Sequence, residues 1–170
     1  TSGFSNPGQV CIPTQRVIVE EAVYGDYLDA LVPVVENLTI GNPINEPVKL
    51  GPMVRENDAV RVTEWIDEAV SEGARLLTGG DRDKAVVSPA IIADAKPDMR
   101  VCREEIFGPA VTVMPAKNID HAIELANDTR FGLSAACFTE NLDNALRFAL
   151  EVHSGNLNIN FGTQFRADFM

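Results

Sequence analysis

Ser134-Ala135-Ala136-Cys137-Phe138, a helical stretch over about 141–152, and Gly155-Asn156-Leu157-Asn158-Ile159 follow one another near the end of this chain. Leu142, Ala145, Leu146 and Ala149 fall at helical spacing between two short runs of β-forming character. A strand, a helix and a second strand in succession predict a crossover unit with parallel strands. The same alternation continues upstream. Ala110–Met114 reads as a strand, and Ile119, Ala122, Ile123 and Ala126 mark a helix over about 119–128. Asn118 or Asp120 can cap its start, and Gly132 lies beyond its end. Further upstream lie strand-like runs at Arg16–Val19 and Arg75–Thr78.

Two more helices complete the pattern. One covers about 21–37, with Val23, Tyr27, Leu31 and Val34 on one face and Pro33 set to kink it. The other covers about 58–71, with Ala59, Val62, Ile66, Ala69 and Val70 in line and Gly73 closing it. Turn residues punctuate the connections at Gly41-Asn42-Pro43, Gly51-Pro52 and Gly79-Gly80. The predicted fold is α/β, a mostly parallel sheet with helices on both faces. A chain of 170 residues is expected to form one domain with a real core.

Charge and composition exclude several functions. The net charge of −11 argues against a surface for nucleic-acid phosphates or anionic lipid. No apolar run approaches the roughly 20 residues that cross a bilayer. Cys11, Cys102 and Cys137 show no CxxC pairing, and an odd, unspaced set points to a reducing, cytoplasmic compartment. His121 and His153 are too few and scattered for a metal site, so no metal is expected. The chain opens on Thr1 and stops at Met170, which reads as a segment truncated at both ends.

Cys11 is the main chemical candidate. It follows Phe4-Ser5-Asn6-Pro7-Gly8-Gln9-Val10, where Gly8 lets backbone and substrate approach closely. By residue type alone, Cys11 is either a small buried apolar residue or a nucleophile for a carbonyl carbon. The second block is Glu104-Glu105-Ile106-Phe107-Gly108-Pro109. By itself it is an acidic pair before a turn. Arg166 is either a surface arginine paired with Asp168 or a fork for an anionic substrate group. Cys102, Cys137 and Trp65 read as packing residues.

Together the two blocks resemble the aldehyde dehydrogenase superfamily. Other stretches keep the family's order: Ile40-Gly41-Asn42-Pro43, Leu50-Gly51-Pro52-Met53, Ala126-Asn127-Asp128-Thr129 and Gly155-Asn156-Leu157-Asn158-Ile159-Asn160. The resemblance implies a single partial catalytic domain over residues 1–170. The NAD(P)-binding domain and the oligomerisation segment would lie outside it. Cys11 would be the catalytic thiol and its backbone N–H an oxyanion donor. Glu105 would contact the nicotinamide ribose of NAD or NADP, and Phe107 its ring. Arg166 would lie in the loop bordering the substrate entrance. The implied reaction oxidises a small-molecule aldehyde to a carboxylic acid through a thiohemiacetal and a thioester, in an enzyme that forms homo-oligomers.

The family's side-chain oxyanion donor, its glutamate base and most dinucleotide contacts lie upstream of the thiol and are not in these 170 residues. There is also no Gly-x-Gly-x-x-Gly after a strand. The isolated chain is therefore expected to be inactive. A coenzyme A-acylating dehydrogenase and a non-catalytic interaction module that keeps the fold remain as alternatives. Neither the aldehyde nor the choice between NAD and NADP is written in these residues.

Overall fold

The computed structural model describes residues 2–45 and 47–163. Strand β1 (Arg16–Glu20) leads through a 3-10 turn at Glu21–Val23 into helix α1 (Tyr24–Glu36). Helix α2 (Glu56–Ser71) is followed by β2 (Arg75–Thr78), the short strands β3 (Arg82–Asp83) and β4 (Val86–Val87), and β5 (Ala90–Ala93). Then come helix α3 (Arg100–Arg103), β6 (Ala110–Ala116), α4 (Ile119–Asn127), β7 (Ser134–Cys137), α5 (Leu142–Glu151) and β8 (Asn156–Ile159).

The main sheet has the order β1-β6-β5-β2. Strands β1 and β5 both run parallel to β6, and β2 is antiparallel to β5 at the edge. Alternation along β5 and β6 divides the core in two. Ala90, Ile92, Ala110 and Met114 face Ala59, Val62, Ile66 and Ala69 of α2. Ile91, Ala93, Val111 and Val113 face Leu28 and Val35 of α1. Helices thus cover both faces, and the central strands are apolar on each side.

The predicted β–α–β unit near the end forms as read, with Ser134 opposite Asn156 and Cys137 opposite Ile159 in parallel register. It forms a separate two-stranded sheet, however, and does not extend the main one. Its core joins Ile123 to Phe148 and Val152. The apolar face assigned to α5 is rotated. Ala145 and Phe148 are buried, while Leu142, Leu146 and Leu150 are exposed. Helix α1 shows the same correction: Leu28 and Val35 point inward, and Val23 and Val34 are exposed. Phe148 packs with Ile123 of α4 and Val152, and that contact sets the inward face of α5. Val70 on α2 is likewise more exposed than its spacing predicts.

Helix ends follow local chemistry. Pro33 lies in the last turn of α1, which runs through it to Glu36. The Pro33 carbonyl then accepts from both the backbone and the side-chain amide of Asn37. Past α2, Gly73 N–H bonds the Val70 carbonyl and Ala74 N–H the Ala69 carbonyl, a closure that needs Gly73 at φ +103°. Asn118, rather than Asp120, caps α4 by accepting from His121 N–H. The far end of α4 is capped from outside. Arg16 donates from Nη1 to the Leu125 and Asp128 carbonyls and from Nη2 to that of Ala126.

Candidate active site

The segment that carries Cys11 is anchored on both sides. Before it, Phe4 is buried against the α1 side of the sheet. A Cβ on Gly8, whose φ is +69°, would stand 2.0 Å from the Gly108 carbonyl oxygen. No other residue type allows that approach. Gln9 Oε1 accepts from Val54 N–H at 2.9 Å, tying the segment to the loop before α2. After Cys11, the Thr14 hydroxyl lies 2.6 Å from the Ser2 hydroxyl and 3.4 Å from that of Thr163. Thr163 also donates to the Ile12 carbonyl, so the chain beyond β8 returns to the neighbourhood of the thiol.

Cys11 itself is exposed, unlike Cys102, which is buried, and Cys137, which is half-buried. Burial pushes the thiols of Cys102 and Cys137 up, which keeps both protonated near neutral pH. Cys102 packs in the α2-side core, 3.9 Å from the Met114 sulfur. Cys137 packs in the small core under α4 and α5. Both therefore take the packing role expected of them. Among the described residues, the Cys11 backbone N–H donates to no acceptor.

The Glu104–Pro109 turn joins α3 to β6 and lies against the Cys11 segment. Gly108 is packed on two sides, since its own Cβ would stand 2.4 Å from Val62 Cγ2 of α2. Arg61 of α2 donates to the Ile106 carbonyl at 2.7 Å, and Ala90 N–H donates to that of Pro109 at 2.8 Å. Gln15 binds the carbonyls of Val101 and Glu104 and the N–H of Ile106. At its ends the turn bonds backbone groups of α3 and β5, and between them Gln15 and Arg61 satisfy the Glu104 carbonyl and both backbone groups of Ile106.

The adjacent glutamates differ. Glu104 pairs with Arg130, whose guanidinium also lies 5.2 Å from the Phe131 ring centroid. Glu105 is exposed and makes no hydrogen bond or ion pair among the described residues. Phe107 is half-buried with its backbone at φ +45°, a region that a non-glycine residue seldom occupies.

The structure thus brings the Cys11 segment and the turn bearing Glu105 and Phe107 into one region. Arg166 lies outside the described residues. Among the described residues no group of acidic, histidine or cysteine side chains is arranged to hold a metal ion. No helix of the described residues is long and apolar enough to cross a membrane. A shallow depression of about 250 Å³ near Val35, Thr78 and Pro89 is lined by none of Cys11, Glu105 and Phe107.

The aldehyde dehydrogenase family model matches residues 1–170, the whole chain. The chain belongs to the aldehyde dehydrogenase family. It is 42% identical over 167 residues to 3-sulfolactaldehyde dehydrogenase of Priestia aryabhattai, a match covering 98% of this chain and 35% of that protein. It matches the NADP-dependent glyceraldehyde-3-phosphate dehydrogenase of Bacillus halodurans, solved with NADP, at a TM-score of 0.94 and 33% identity. That match covers 99% of this chain and 35% of the other. An aldehyde dehydrogenase of Mycobacterium tuberculosis, solved with NAD+, gives 0.88 and 30%, with 94% of this chain and 34% of the other covered. The chain spans about a third of the length of the relatives it matches.

Within this aldehyde dehydrogenase segment, Gln15 and Arg61 are residues that the sequence reading passed over. Neither type is diagnostic, and their partners are backbone groups distant in the chain. The signal that could have flagged Gln15 is a long polar side chain just before the apolar Val17-Ile18-Val19 run of β1.

Proposed function

We propose that these residues form the thiol-bearing part of an enzyme that oxidises an aldehyde to a carboxylic acid with NAD+ or NADP+. The observation that carries this reading is Cys11, the exposed one of three thiols, on a segment packed against the turn that bears Glu105 and Phe107.

The Cys11 thiolate attacks the aldehyde carbon. A carbon–sulfur bond forms while the carbonyl π pair moves onto oxygen, giving a thiohemiacetal anion. The free Cys11 N–H is available to that oxygen, and such preorganised donors are worth several kcal/mol in acyl transfer, about 2.7–4 for one donor. The residues present suit a nicotinamide dinucleotide. The unpaired Glu105 carboxylate can accept two ribose hydroxyls, and the half-exposed Phe107 ring can pack on an aromatic ring. When bound, the dinucleotide supplies the acceptor for the hydride that the thiohemiacetal carbon gives up. The Cys11 sulfur is then held in a thioester. Attack by water breaks the carbon–sulfur bond, releasing the carboxylate and returning the thiolate, and the two protons of the water pass to solvent.

The 170 residues do not include the side-chain amide donor, the glutamate base or most of the dinucleotide contacts that the resemblance calls for. The polypeptide of these residues alone is accordingly inactive, and the natural protein carrying them is the catalyst. Assembly into homo-oligomers belongs to the same reading, supported by the exposed Leu142, Leu146 and Leu150 along α5.

Arg166 suits an aldehyde that carries an anionic group. The Priestia relative and the Bacillus structure are named for aldehydes bearing a sulfonate and a phosphate, which supports this choice. The test is an aldehyde panel with NAD+ and NADP+ on the natural protein and its Cys11→Ala variant. Formation of reduced dinucleotide by the first and not the second is expected. Equal rates from both would overturn the reading.

A further inference from the structure

Gln15 stands four residues beyond Cys11, immediately before β1. Its backbone is fixed to the sheet. The Gln15 carbonyl accepts from Thr112 N–H at 2.8 Å and from Thr112 Oγ1 at 3.1 Å. Thr112 is a buried polar residue of β6, so this end of Gln15 has little freedom.

The other end reaches the turn. Nε2 donates to the Val101 carbonyl at 2.9 Å and to the Glu104 carbonyl at 2.6 Å, while Oε1 accepts from Ile106 N–H at 3.0 Å. The Glu104 carbonyl belongs to the peptide plane before the Glu105 Cα. The Ile106 N–H belongs to the plane after it. The orientations of those two planes are the φ and ψ of Glu105. One side chain therefore grips the Glu105 backbone from both sides and leaves its carboxylate free.

Only a primary amide can do this. It offers two N–H donors and a carbonyl acceptor on one planar group. A carboxylate would face two carbonyl oxygens with no proton to give. Asparagine has the same group but is one methylene shorter, with its backbone already held by Thr112.

We propose that Gln15 is a positioning residue that sets Glu105 relative to Cys11 and so makes the turn ready for the dinucleotide. This rests on the reading of Glu105 as a cofactor contact. A residue that only held the fold together would affect stability and every ligand alike. Gln15 acts through Glu105, so its loss should register at the dinucleotide and spare the thiol.

The test is a double-mutant cycle in the natural protein carrying these residues, using Gln15→Met, Glu105→Ala and the pair. The readouts are the dissociation constant of NAD+ or NADP+, KM and kcat, the rate of Cys11 alkylation by iodoacetamide without cofactor, and Tm. Each single change should weaken dinucleotide binding about tenfold, and the pair should be no weaker than Glu105→Ala alone. Cys11 alkylation should stay within about twofold of the parent. Unchanged binding in Gln15→Met, or losses that simply multiply in the pair, overturns the proposal and leaves the cofactor reading intact. Unchanged binding in Glu105→Ala overturns the cofactor reading, and the positioning role with it. Should Gln15→Met not fold, hydrogen exchange at Ile106 N–H in the parent decides. Slow exchange is expected, and exchange at the rate of an open loop overturns the proposal.

Discussion

Gly8 and Gly108 meet backbone to backbone: a Cβ on Gly8 would stand 2.0 Å from the Gly108 carbonyl oxygen and 2.4 Å from its carbon. Val62 of α2 closes on the other side of Gly108. The thiol segment, the Glu105 turn and the core helix α2 are therefore stacked with no side chain between the first two.

Gly8→Ala tests that stacking. The added methyl group meets the Gly108 backbone and must also hold φ at +69°. The left-handed region alone costs roughly 1–2 kcal/mol, and displacing the Gly108 backbone adds to it. The expected loss is at least about 2 kcal/mol in denaturant unfolding. Gly25→Ala is the control. Gly25 lies in α1 with nothing within 4 Å of its added Cβ, so a gain of about 0.5 kcal/mol is expected there. Equal effects at the two positions would contradict the close approach.

Thiol reactivity separates the three cysteines. Iodoacetamide should label Cys11 first in the folded protein, Cys137 more slowly because it is half-buried and its thiol is pushed up, and Cys102 only on unfolding, because burial both shields it and keeps it protonated. Peptide mapping after brief alkylation reads this directly. Comparable labelling of Cys102 in the native state would contradict the assignment of roles.

Tyr24 gives the fold a limit at alkaline pH. Its hydroxyl donates to Asp94 Oδ1 at 2.9 Å and to the Val113 carbonyl at 3.2 Å, and accepts from Asp94 N–H. Burial, with a smaller push from the Asp94 carboxylate, raises it to about 12 against 10.0 for the free group. The folded state therefore holds this proton more tightly than the unfolded chain. Its contribution is complete below about pH 10 and is lost as pH rises toward 12. Tyr24→Phe should cost about 1–2 kcal/mol at neutral pH and flatten the decline in stability between those values. An unchanged alkaline slope, measured by urea midpoints across that window, would contradict it.

Arg16 ties the start of β1 to the end of α4 through three carbonyls. Lysine keeps the charge but loses the planar fork. Arg16→Lys should lower stability by about 1–2 kcal/mol and loosen protection of the last turn of α4 in hydrogen exchange. Protection equal to the parent would show that the fork is dispensable.

The alternation of strands and helices is legible because each outer element keeps one apolar face. Strand β2 occupies Arg75–Thr78 as read, and α2 and α4 lie within a few residues of the expected spans. Strand β5 is not legible. Ala90-Ile91-Ile92-Ala93 is buried on both faces, so it carries no period-two pattern, and four residues are too few to declare themselves. The β3–β4 hairpin and the single turn of α3 escape for the same reason of length. Cys11, Glu105 and Phe107 are legible as a pair of motifs, and the fold brings their segments together. What holds them there is not legible, because Gln15 and Arg61 act on backbone groups that any residue type would provide.

The central claim is that the Cys11 sulfur carries the acyl group. The natural protein should be mixed with an aldehyde and NAD+ or NADP+, quenched in acid within one turnover, and mapped by mass spectrometry. A thioester on the Cys11 peptide, absent in Cys11→Ser, is the predicted result. Acid formation by Cys11→Ser at the parent rate, or an acyl group on another residue, would contradict it.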